Sequence, residues 1–126
     1  MRMMMRVFAL ALALGLVGCT STVTNLTPSQ QPRNANGLYP VGVAWDTQKA
    51  SIREQSVTPY IIVGETAYPM QRTPFLTNRW DGVIPVPATE RFANYHFKID
   101  YEYGRMGKPG KNSILSQDYS LRILDK

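Results

Sequence analysis

Asp100 and Glu102 stand two residues apart in "HFKIDYEYG", with Lys98 just before them and His96 at the head of the series. On an extended chain, residues two apart share one face at a separation of about 6.5–7 Å. Two carboxylates so placed are what general acid–base chemistry uses. Lys98 interleaved with them instead makes the series a solvated charged face. His96 is the sole histidine, so a two-histidine metal site has no second member. A Ser-His-Asp arrangement has that one candidate base, and we read His96 as a surface or intersheet residue. "GRMGKPG" (104–110) lacks the strand–loop–helix setting and the Ser or Thr of a phosphate-binding loop. The chain therefore reads as a non-enzyme with no cofactor and no metal. The aromatic residues are the better candidates for contact with a ligand or partner.

One thiol stands apart. Cys19 is the only cysteine and has no disulfide partner within the chain. Before it, Arg2 and Arg6 form a basic start, and Val7 to Val17 form an apolar run. That is the layout of a secretory signal peptide, and it is too short for a span of about 20 apolar residues. "LVGC" (16–19) ends the run and resembles the lipobox of bacterial lipoproteins. The resemblance implies that residues 1–18 are a signal peptide removed before Cys19, whose thiol receives a diacylglycerol. Several acyl chains, at about 0.8 kcal/mol per buried methylene, make such an anchor effectively permanent. Position 20 is Thr and not Asp. In diderm bacteria the resemblance then implies sorting to the outer membrane. The expected location is the cell envelope, with the membrane as first partner.

Composition removes one class of partner. Without Arg2 and Arg6 there remain 12 Lys and Arg against 9 Asp and Glu, a charge of +3. The basic residues are dispersed and not clustered as a nucleic-acid face requires, so no nucleic acid is expected. The densest group, Arg105, Lys108 and Lys111, reads as a solvated loop. Residues 20–37, "TSTVTNLTPSQQPRNANG", hold few apolar residues, too few to offset the entropy of ordering them. The segment 19–37 is expected to be a lipidated cysteine followed by a flexible linker.

The packed domain then spans 38–126. "LYPVGVAW" (38–45) puts Tyr39, Val41, Val43 and Trp45 on one face. "KASIRE" (49–54) reads as a short strand. "YIIV" and "TAYPM" flank Gly64-Glu65, a two-residue hairpin turn with Gly first. "RWDGVIPV" (79–86) and "DYSLRIL" (118–124) are further strands. "ANYHFKIDYEYG" (93–104) alternates most clearly, with Tyr95, Phe97, Ile99, Tyr101 and Tyr103 on one side. The pattern predicts an all-β fold, an antiparallel immunoglobulin-like sandwich of about seven strands.

"RWDGVIPVPATERFANYHFKIDY" (79–101) is similar to the early-set immunoglobulin-like domains, which include glycogen-binding modules and the N-terminal domains of branching enzymes. The inserted "YEY" before Gly104 departs from the family pattern. Two functions follow as expectations. One is a non-catalytic envelope lipoprotein whose sandwich binds another envelope protein. The other is a carbohydrate-binding module. Trp45, Tyr39, Tyr60, Tyr68 and Trp80 are the candidate contacts, with partly exposed rings expected for the first four. Burial of both Trp45 and Trp80 would deprive the carbohydrate reading of its best residues.

Overall fold

A computed structural model describes residues 21–47, 51–105 and 108–125. The proposed signal peptide, Cys19 and Thr20 lie outside the described residues. The described residues form ten strands: β1 (Thr22–Asn25), β2 (Gln30–Pro32), β3 (Leu38–Asp46), β4 (Thr58–Val63), β5 (Thr66–Pro69), β6 (Gln71–Arg72), β7 (Arg79–Pro85), β8 (Phe92–Arg105), β9 (Lys108–Leu115) and β10 (Tyr119–Leu124). They make two sheets, ordered β1-β3-β7-β6 and β2-β10-β8-β4-β5, with β9 also paired to β8. In immunoglobulin lettering these orders are A-B-E-D and G-F-C-C′, with β2 as a second half of strand A lying beside G. The fold is an all-β sandwich, as expected, with about ten strands and not seven.

The core follows from alternation. Tyr39, Val41, Val43 and Trp45 of β3 face Tyr95, Phe97, Ile99 and Tyr101 of β8, and all eight are buried. Trp45 meets Tyr101 across the sheets, with ring centroids 5.2 Å apart. The β4–β5 hairpin turns at Gly64, whose φ of 61° is the left-handed value that a Gly-first turn needs. Pairing is antiparallel except where β2 runs parallel to β10.

Several expectations are corrected here. The linker 20–37 carries two strands: Thr22 lies opposite Asp46 and Asn25 opposite Val43, while Gln30 to Pro32 pair with Arg122 to Leu124. The folded unit therefore does not start at residue 38. These edge strands need few apolar side chains because backbone pairing to β3 and β10 holds them. Burial of Gln31, whose Nε2 donates to the Pro40 carbonyl at 2.9 Å, adds a polar tie between the sheets. The strand expected at 49–54 is, in its described part, an isolated bridge from Ile52 to Tyr103 followed by a 3-10 turn at Glu54–Ser56. The basic group expected as a loop is strand from Lys108 onward, paired with the far half of β8.

β9 and β10 run along β8 almost as one strand. Leu115 is opposite Lys98, yet Tyr119 is opposite Tyr95, so three residues face two. That is a β-bulge, which re-aims side chains and raises local twist. Ser116 completes it: its N–H donates to the Phe97 carbonyl at 2.9 Å, and its Oγ accepts from the Phe97 N–H at 2.8 Å.

Candidate functional site

The five aromatic candidates fall into three places. Trp45, at the end of β3, and Trp80, at the start of β7, line one cleft of about 250 Å³ with Glu54, Arg72 and Asn78. Tyr39 and Tyr68 line a second, more open hollow. Tyr60 shares a third with Asp100, Glu102 and Lys111. Trp45 is 3% exposed and Trp80 4%, and Tyr39 is fully buried, while Tyr60 and Tyr68 are half-buried. The expectation of partly exposed rings at Tyr39 and Trp45 is therefore corrected.

The chemistry of the buried phenols explains part of this. A buried hydroxyl needs a partner, and asparagines supply one each. The Asn25 Nδ2 donates to the Tyr95 hydroxyl at 2.9 Å, and the Asn112 Nδ2 to that of Tyr101 at 3.2 Å. The backbone N–H of Asn34 donates to the Tyr39 hydroxyl at 3.1 Å. Two of these three donors come from the segment expected to be a flexible linker. Trp45 differs, because its indole N–H is buried without a hydrogen-bond partner.

The Trp45–Trp80 cleft is braced by a single cation. The Arg72 guanidinium lies 5.1 Å from the Trp80 ring centroid. It donates to the Glu54 carboxylate at 3.2 Å, to the Glu54 carbonyl at 3.0 Å and to the Thr77 carbonyl at 3.0 Å. The Asn78 Nδ2 donates to Asp46 at 2.9 Å. Arg72 with Glu54 and Asn78 with Asp46 are thus engaged with one another, while the Trp45 indole N–H is not, and the cation–π contact fixes the Trp80 face.

The charged side of β8 is half-buried and not fully solvated. Asp100 lies 3.6 Å from Lys98 and accepts from the Ser113 hydroxyl at 2.5 Å. His96 Nδ1 lies 3.5 Å from the exposed carboxylate of Asp118 in the bulge. Ser116 is near in sequence, but its Oγ donates to the Gln117 carbonyl at 2.8 Å while accepting from Phe97. That hydroxyl holds the bulge together. Among the described residues, no three His, Cys, Asp or Glu side chains gather as a metal cluster.

Next to the cleft is a feature that the sequence reading passed over. Thr73, Pro74, Phe75 and Leu76 form a tight turn, closed by the Leu76 N–H donating to the Thr73 carbonyl at 3.2 Å. Phe75 has φ of 66° and is fully exposed. Pro at the second place of such a turn and a positive φ at the third define type II, whose third place favours Gly or Asn. A phenylalanine there is strained by about 1–3 kcal/mol. The feet of the turn are pinned: the Thr73 N–H donates to the Arg79 carbonyl at 2.9 Å, and Arg72 holds the Thr77 carbonyl. The sequence signal is "TPFL", a turn-forming Pro followed by large apolar residues where turn chemistry calls for small polar ones.

Fold and site together define a small immunoglobulin-ordered sandwich with buried tryptophans and a turn that exposes Phe75 at its tip. No protein-family model, curated protein or solved structure matches the chain.

Proposed function

We propose that the chain is a lipid-anchored, non-catalytic lipoprotein of the bacterial cell envelope whose sandwich binds another envelope component. The observation that carries the reading is "LVGC" behind a basic start and an apolar run, with strand structure beginning at Thr22, three residues after Cys19. The non-catalytic part is supported by the hydroxyl of Ser116, which is committed to the bulge, and by Arg72, Glu54, Asn78 and Asp46 of the Trp45–Trp80 cleft, which bind one another in pairs. A protein partner is favoured over a glycan. Burial of both tryptophans removes the exposed, coplanar rings that a sugar platform needs. For such a partner, β9 offers the longest open strand edge.

The test is metabolic labelling of cells with palmitate. The wild-type protein should take up label and begin at Cys19 when mature. Cys19→Ser should abolish both labelling and cleavage at that site. A wild-type protein without label, or one beginning at another residue, overturns the anchored reading.

A further inference from the structure

The position of Ser21 relative to Phe75 suggests what that strained side chain is for. The Ser21 hydroxyl donates to Thr47 at 3.0 Å. Thr22 is paired with Asp46, and Asp46 accepts from Asn78, which closes the loop that begins at Thr73. Ser21 and the Phe75 turn therefore lie at one end of the same sheet. Thr22 and β7 are two strand spacings apart, about 10 Å. Only Thr20 separates Ser21 from Cys19, and two residues span at most about 7 Å.

With β1 formed, no long leash is left between the cysteine and the folded body. A lipid on Cys19 would bring this end of the sandwich against the bilayer surface. The same end presents Phe75, fully exposed, and Leu76, 40% exposed. These are the only two large exposed hydrophobic residues adjacent in sequence among the described residues. Exposed aromatic and aliphatic side chains of this kind gain by entering the headgroup–acyl boundary, to a depth of about 5–10 Å.

We propose that the Pro74–Phe75–Leu76 turn is a membrane-seating element, with Phe75 inserted into the lipid surface that holds the Cys19 anchor. The proposal rests on the anchored reading above. It assigns the backbone strain a use. Phe75 is held outward before contact, so little ordering is left to be done when it meets lipid. The anchor and the inserted ring then form two attachment points, which fix the tilt of the sandwich relative to the membrane instead of leaving it to swing.

The test uses the mature, full-length lipidated protein reconstituted into phosphatidylethanolamine–phosphatidylglycerol vesicles. Phe75→Trp adds a reporter at the turn. Leu38→Trp adds one at the opposite end of β3, eight residues or about 26 Å from Asp46. The native Trp45 and Trp80 are buried and give a constant background. The F75W emission should shift to shorter wavelength, be quenched by brominated acyl chains and resist aqueous acrylamide. The L38W emission should show the reverse.

Wild-type protein that fails to float with vesicles sinks the anchored reading and this proposal together. Flotation with F75W open to acrylamide overturns the insertion alone. Flotation with F75W shielded from both quenchers also overturns it, and shows that protein covers the turn.

Discussion

Gln31 of β2 and Pro40 of β3 join the two sheets through a hydrogen bond of 2.9 Å, with the Gln31 side chain buried. The carbonyl of Pro40 would lose this partner if the amide were removed. Gln31→Ala should therefore cost about 1–3 kcal/mol, read as a lower urea midpoint with an unchanged slope. A chain starting at Leu38 loses this tie, both strand pairings and the Asn25 donor to Tyr95. It should melt far below the longer chain or show no cooperative transition. Equal melting temperatures for the two lengths would contradict the pairing.

Phe97 and Lys98 are neighbours with opposite fates. Phe97 is fully buried, whereas the Lys98 side chain is 43% exposed. Phe97→Ala should cost about 3–5 kcal/mol, and Lys98→Ala under about 1 kcal/mol. Chemical denaturation of both variants checks the register of β8. Comparable losses would mean that its two faces are equally packed.

The ion pair of Arg33 with Asp125 makes stability depend on pH. Arg33 Nε donates to the Asp125 carboxylate at 2.8 Å. That hydrogen bond, with the nearby Arg33 and Arg91 charges, holds the Asp125 carboxyl below its ordinary value, against the smaller opposing effect of desolvation. A carboxyl lowered in the folded state stabilises the fold above its unfolded value, and the benefit fades as pH falls through the folded value. Melting temperatures from neutral pH to about pH 2 should converge for wild type and Asp125→Asn at the acid end. At neutral pH the wild type should melt higher. A constant gap across the range would remove Asp125 from the account.

Phe75 should be a site where a substitution stabilises. Glycine takes a positive φ without the steric cost borne by Phe75. Phe75→Gly should raise stability by about 1 kcal/mol in solution, since the exposed ring contributes no packing. A lower melting temperature for this variant would show that the ring is held by contacts within the chain.

The strong alternations were plain in the sequence because burial on one face leaves a period of two. β3, β8 and the hairpin at Gly64 follow from it. The strands that were missed lack that imprint. Thr22–Asn25 and Gln30–Pro32 lie at sheet edges and bury one face slightly or through Gln31 alone. The group Arg105, Lys108 and Lys111 reads as loop because Lys108, Pro109 and Lys111 guard the open edge of β9, as edge strands often require. At the candidate site, "Trp" in the sequence carries no sign of whether the ring faces core or solvent. The neighbours decide it, and here Tyr101 and Arg72 cover the two rings. The burial of Tyr39 has a related cause: the donor to its hydroxyl is the backbone N–H of Asn34, which stands in a segment whose composition reads as a linker.

The parallel pairing of β2 with β10 sets the timetable of folding. Arg33 and Asp125, at the exits of these strands, are 92 residues apart in sequence. Contacts of such separation are slow to form, because the loop must close before they give any return. A chain emerging N-terminus first cannot complete this edge until its last strand is free. The segment that holds β1 and β2 is thus among the first made and among the last secured, and until then β1 can rest only on β3. Membrane attachment at the start of the chain would confine the unfinished end of the sandwich to the lipid surface during that interval.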